Sequence, residues 1–161
     1  MGIFFVIFIA YCLYAGMKSR TERVDYYNRG LVEEKTYGIN KLDLRKDIEA
    51  EFDNENFLKT KELLEKYHYY YQSTDETSIL YVFTLLGLNM VYEAEKYSQK
   101  MIADSGGSSK YGYYLSGIVE YRKKNFQKSK EYFDYGRRYG LSDNMIKDFL
   151  EDDYYRVMNF K

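Results

Sequence analysis

The sequence predicts an all-α protein: an α-solenoid of antiparallel helical hairpins, closed by a C-terminal capping helix and preceded by one transmembrane helix. Three observations predict it. Residues recur every 34 to 35 positions, as Phe57, Val91 and Phe126, as Thr60, Ala94 and Ser129, and as Leu64, Ser98 and Phe133. Twelve residues before the middle set stand Ile48, Val82 and Gly117, so each unit reads as two helices in one register. Finally, Gly2 to Met17 holds sixteen residues without a charge, in a chain that is 30% charged overall.

That uncharged stretch comes first. As a helix, sixteen residues span about 24 Å against a hydrocarbon core of about 30 Å. Tyr11 and Tyr14 suit the interface, and Lys18 and Arg20 can extend beyond it, so residues 1–17 are read as a membrane anchor. A cleaved signal peptide fits less well, because only the α-amino group precedes the apolar run and a cut after Gly16 leaves Tyr14 where a small residue is needed. Tyr11 before Cys12 argues against a lipoprotein, and Val6 against myristoylation. The segment is apolar all round, unlike the striped helix of a soluble core. Lys18, Arg20 and Arg23 follow it, so the positive-inside rule places the C-terminal domain in the cytoplasm of a single-pass protein. Residues 18–40 are polar through Lys35 and interrupted by Gly30 and Gly38, which suits a juxtamembrane linker.

From Asn40 onward the punctuation suits helices. Asn40 can cap the first, and Asp53-Asn54 marks the turn into the second. Ser73 and Glu76 have the spacing of a capping box, and Gly87-Leu88-Asn89 closes the helix that follows. Ser105 to Ser109 is a flexible loop holding the extra residue of the longer step. Asn125 is placed to cap the sixth helix, with Phe126 and Phe133 expected between helices. Gly117 lies inside the fifth helix, where Gly costs about 1 kcal/mol against Ala, so close approach of the neighbouring helix at Ser129 is expected. Gly140 reads as a Schellman-type stop with Leu141 behind it. Hairpins thus occupy residues 41–141. In residues 142–161 Met145, Ile146, Phe149, Leu150 and Val157 recur at helical spacing, as a capping helix should.

The third unit carries Tyr113, Gly117, Tyr121, Ser129 and Phe133, a pattern that resembles the tetratricopeptide repeat. The first two units lack the Gly, and no unit keeps the Pro that often ends the repeat. The resemblance implies a protein-binding scaffold in which the first helices of successive units line a concave groove. On this chain its residues would be Arg45, Glu49 and Phe52, then Ile79, Phe83 and Leu86, then Tyr114, Ile118 and Tyr121. Each triplet has i, i+4, i+7 spacing and so forms one helix stripe. Two triplets are wholly apolar or aromatic, which suits a helix or peptide segment of a protein partner, or the chain's own Tyr26 to Tyr37. Family members that hold acidic chaperone tails use Lys, Arg and Asn in the groove. Only Arg45 matches, while Glu49, Leu80, Tyr111 and Leu115 depart from that pattern.

Chemistry is sparse. A net charge of −1 offers no basis for nucleic-acid binding, and the single Cys12 allows neither an internal disulfide nor a cysteine zinc site. No catalytic residue, metal site or cofactor is expected. Asp104-Ser105-Gly106-Gly107 is worded like a serine-protease nucleophile loop, but those enzymes need a β-barrel and a His placed upstream, whereas this loop joins two helices. His68, at a helix end, is better placed for the helix dipole than for catalysis. Walker A and dinucleotide-binding glycine motifs are missing from the sequence. Two functions remain: a membrane-anchored adaptor that recruits or assembles a protein partner, or a structural subunit of a larger membrane complex without an exchangeable ligand.

Overall fold

A computed structural model describes residues 40–151 of the chain. The anchor at 1–17, the linker before Asn40, the internal occupant Tyr26 to Tyr37 and residues 152–161 of the capping segment lie outside the described residues. Within the described residues, seven helices pack sequentially as antiparallel pairs, an arrangement compatible with a helical repeat. They are α1 (Lys41–Asp53), α2 (Phe57–Tyr70), α3 (Asp75–Gly87), α4 (Val91–Asp104), α5 (Lys110–Arg122), α6 (Phe126–Arg138) and α7 (Asp143–Glu151). None of these helices is long and apolar enough to cross a membrane.

The chain forms two compact units. Among the described residues the first holds 40–50 and 62–73, and the second holds 51–61 and 74–151. In the first, Leu44 and Ile48 of α1 and Leu64 and Tyr67 of α2 are buried. The Lys41 ammonium lies over the rings of Tyr67 at 5.9 Å and Tyr71 at 5.6 Å, so the start of α1 meets the end of α2. In the second, Val82, Phe83, Leu85 and Leu86 of α3, Ala94 of α4, Leu115, Ile118 and Val119 of α5, and Phe133 of α6 share one core with Leu141, Ile146 and Phe149.

The 34–35-residue period appears in the backbone. Glu55, Asn89 and Lys124 alone among the described non-glycine residues have positive φ, at 59°, 59° and 64°. Each sits in the turn between the two helices of a pair. There the next amide donates back across the turn, from Asn56 to the Glu51 carbonyl, Met90 to Leu85 and Asn125 to Glu120, at 2.8–2.9 Å. This 6→1 bond is the Schellman closure, and it satisfies a carbonyl that the helix end would leave open. Gly140, at φ 88°, closes α6 the same way, with Leu141 buried behind it as expected.

Small residues are buried where the period places them: Thr60, Ala94 and Ser129 are all inaccessible or nearly so. Gly117 is close-packed, but its neighbour is Phe133 rather than Ser129. A Cβ on Gly117 would overlap the Phe133 ring, so the glycine makes room for an aromatic side chain. Phe126 departs further from expectation. It is the first residue of α6 and 58% exposed, resting edge-on against Tyr121 at 5.2 Å instead of lying between helices.

Two caps differ from their expected form. α3 begins at a capping box one residue later than the Ser73–Glu76 spacing suggests: Thr77 N–H donates to Thr74 Oγ1 at 3.3 Å and Thr74 N–H to Thr77 Oγ1 at 3.0 Å. Thr74 has the extended backbone a cap requires, and Thr77 supplies the returning acceptor. Asn125 occupies the cap position of α6 but makes no capping bond, because its amide donates to the Glu120 carboxylate at 2.8 Å. Asn40 caps α1 as expected, accepting from Leu42 N–H at 2.8 Å.

Candidate functional site

The nine stripe residues have unequal fates. In the first unit Arg45 and Glu49 face each other one turn apart at 3.5 Å, both substantially solvent-accessible. Such a surface pair contributes at most about 1 kcal/mol. In the second unit Phe52 is half-buried and meets Phe57 edge-on at 5.8 Å. Ile79 is also half-buried, whereas Phe83, Leu86, Tyr114 and Ile118 are buried in the core. Tyr121 remains 39% exposed.

α7 contributes to this burial at Tyr114 and Tyr121. The Tyr114 hydroxyl donates to the Met145 carbonyl at 3.4 Å. Phe149 packs against Tyr121 at 5.5 Å and Phe133 at 6.4 Å, and Ile146 joins the same core. The helix has Ile146 and Phe149 on one face, and both are buried where it lies beside the stripe. Of the stripe residues, Phe83, Leu86, Tyr114 and Ile118 are therefore core in this state, Phe52 and Ile79 are half-buried, and Arg45, Glu49 and Tyr121 are accessible, Tyr121 with Phe126 beside it.

Beside that edge lies a charged cluster that hydropathy does not reveal. Glu120 is only 1% exposed, yet its carboxylate accepts from Lys128 Nζ at 2.8 Å, Asn125 Nδ2 at 2.8 Å and Lys123 Nζ at 3.0 Å. Lys123 also reaches Glu95 of α4 at 3.1 Å, so the cluster joins α4, α5 and α6. Burial by itself would raise the Glu120 carboxyl. The hydrogen bonds from Lys128, Asn125 and Lys123 outweigh it and hold the group down at about 2. The sequence signal lies in Glu120, Lys123, Asn125 and Lys128 around one turn, a charge pattern that a solvated helix face shares.

A second cluster is aromatic. Tyr113 stacks on Tyr135 and Tyr139 with both centroids at 5.6 Å, and its hydroxyl donates to the Gly107 carbonyl at 3.0 Å. The Arg138 guanidinium lies 4.9 Å from the Tyr135 ring centre. These residues join the start of α5 to the end of α6 and account for three of the chain's abundant tyrosines as packing.

His68 lies in the last turn of α2, as the sequence suggests, but burial lowers it to about 4 against a smaller opposing effect of Glu65. It is therefore neutral near pH 7, and desolvation outweighs any attraction of its charged form to the helix end. Among the described residues no group of three or more His, Cys, Asp or Glu side chains is placed to hold a metal ion. In comparison with known proteins, no protein-family model, curated protein or solved structure matches the chain.

Proposed function

We propose that this chain is a membrane-anchored adaptor of tetratricopeptide-like architecture that recruits or assembles a protein partner at the cytoplasmic face. The observation that carries the reading is the recurrence of one hairpin turn at Glu55, Asn89 and Lys124, in step with the buried small residues Thr60, Ala94 and Ser129. A repeat of this kind builds surface by stacking units and lends itself to holding extended segments of other proteins. The anchor at 1–17 and the basic residues after it support the membrane attachment and its orientation. With the stripe centre buried, a partner would engage its accessible positions, Ile79 and Tyr121, more than Phe83 or Tyr114.

The test is affinity capture of the full chain from native membranes, with partners identified by mass, alongside Tyr121→Ala and Ile79→Asp variants of matched thermal stability. A co-purifying protein that is lost from both variants supports the adaptor. Identical recovery from parent and variants refutes engagement through these positions. The burial of Phe83, Leu86, Tyr114 and Ile118 favours a second reading, a fixed subunit of a larger membrane complex. Under that reading the chain co-purifies at constant stoichiometry that neither dilution nor competing free partner disturbs.

A further inference from the structure

Tyrosines and basic residues gather where α5 begins and α6 ends. Tyr113 of α5 meets Tyr132, Tyr135 and Tyr139, an i, i+3, i+7 stripe along α6, at 6.4, 5.6 and 5.6 Å. This is surface rather than core, since Tyr135 is 45% exposed and Tyr139 46%. Two cations flank the rings, each resting on a tyrosine. The Arg138 guanidinium lies 4.9 Å from the Tyr135 ring centre and the Lys110 ammonium 4.8 Å from that of Tyr111. Neither pairs with a described carboxylate, and the acidic residues nearest in sequence are already engaged. Asp104 is taken by Lys100, while Asp134 and Asp143 share Arg137 at 2.5 and 2.6 Å. The connecting segments bring no charge: residues 105–109 and 139–142 hold only Ser, Gly, Tyr and Leu.

That combination matches the boundary of a bilayer. Tyrosine has an apolar ring and a polar tip and collects at the level of the headgroups, where Lys and Arg reach lipid phosphates. A cation resting on a ring face keeps its charge and can turn to a phosphate without breaking an ion pair. We propose that this end of the α5–α6 hairpin lies against an anionic lipid surface, with Lys110 and Arg138 at the phosphates and Tyr135 and Tyr139 among the headgroups. The proposal rests on the membrane-anchored reading above, because attachment of the chain to the bilayer keeps the local concentration of lipid high and lets a small patch engage. It adds an orientation to that reading. Tyr121 lies eleven residues along α5 from Lys110, about 17 Å at the helical rise. With the tyrosine end against the lipid, the Tyr121 edge points away from the bilayer and stays open to a protein partner.

The chain contains no Trp, so Tyr139→Trp provides a single fluorescent reporter inside the patch, and Tyr135→Trp a second should the first disturb the stack. Tyr92→Trp is the control: Tyr92 is 73% exposed and stands beside the Asn89 turn, at the opposite end of its helix pair. The full chain is reconstituted with vesicles of brominated phosphatidylcholine, with or without added phosphatidylserine. In the anionic vesicles the reporter at 139 should be quenched severalfold more than the one at 92. Lys110→Glu with Arg138→Glu should abolish that excess, while far-UV circular dichroism keeps the helices. Flotation with neutral vesicles reports the anchor by itself, so a failure of the anchor is distinguished from a failure of the patch, which the anionic vesicles still read. Equal quenching at 139 and 92 in anionic vesicles would overturn the proposal and assign the rings to a protein partner. An excess that survives the charge reversal would also overturn it.

Discussion

Glu120 offers the sharpest test of the packing between α5 and α6. Glu120→Ala removes the shared acceptor of Lys128, Asn125 and Lys123 at 2.8, 2.8 and 3.0 Å. Breaking a fully buried ion pair costs about 3–5 kcal/mol. Here the lysines are partly exposed, with side chains at 48% for Lys128 and 31% for Lys123, so their ammonium groups can turn to water. What is lost is hydrogen bonding to a charged acceptor and the link through Lys123 between Glu95 and Glu120, so about 2 kcal/mol is expected. For a chain of this length that lowers Tm by about 4–8 °C. The pH dependence gives an independent check. The folded carboxyl titrates near 2 and the ordinary value is 4.5, so the contribution is complete above pH 4.5 and disappears as pH falls through 2. Thermal melts of parent and variant should therefore differ most near pH 7 and converge toward pH 2. Glu120→Gln, which keeps the shape and one acceptor, should fall between them and lack the acid dependence. A Glu120→Ala melt that matches the parent at pH 7, or a gap that persists unchanged at pH 2, would show that the cluster is not held together by this carboxylate.

Two other outcomes follow from single positions. His68 titrates near 4 in the folded chain against 6.5 unfolded, so the unfolded state takes up the proton first on acidification. Stability should fall by about 1–2 kcal/mol between pH 7 and 5, and denaturant melts of His68→Gln should lose that slope. Glu55 is exposed at φ 59°, a conformation that disfavours side chains with a Cβ. Relief of that strain outweighs the entropy of a freer unfolded chain, so Glu55→Gly should raise stability by about 0.5–1 kcal/mol; a lower Tm would count against the turn geometry.

The helices were legible because their signals are local. Capping residues, the stop at Gly140 and the period of the small buried positions act within one or two turns of chain, and the structure uses them. Where a reading shifted, a neighbour outside the local window decided. Asn125 has the chemistry of a cap, but a buried carboxylate five residues earlier takes its amide. Ser73–Glu76 and Thr74–Thr77 offer the same spacing, and the extended backbone at Thr74 selects the second. The turn recurrence at Glu55 and Lys124 had no sequence signal, since neither residue type favours positive φ. Only the period itself could have pointed to it.

The stripe shows why a surface is harder to read than a helix. Apolar residues at i, i+4 and i+7 identify a face, and the same spacing serves a groove or a core. What separates the two is the element that lies against the face. Here that element includes α7, whose Phe149 meets Tyr121 and whose Met145 carbonyl accepts from Tyr114, contacts made 28 and 31 residues away along the chain. No window around Tyr114 contains that information. A repeat unit with no further unit stacked on it needs its apolar face covered, and α7 lies against Tyr114 and Tyr121 of this stripe. For the adaptor proposed above, recognition would then move from Phe83 and Tyr114 to the turn edges, where the backbone is fixed by Schellman closures. Tyr121 sits on such an edge, its carbonyl accepting from Lys124 N–H at 2.9 Å and its ring held between Phe126 and Phe149. An aromatic fixed in this way loses little conformational entropy on contact, the condition under which a single ring contributes most to binding.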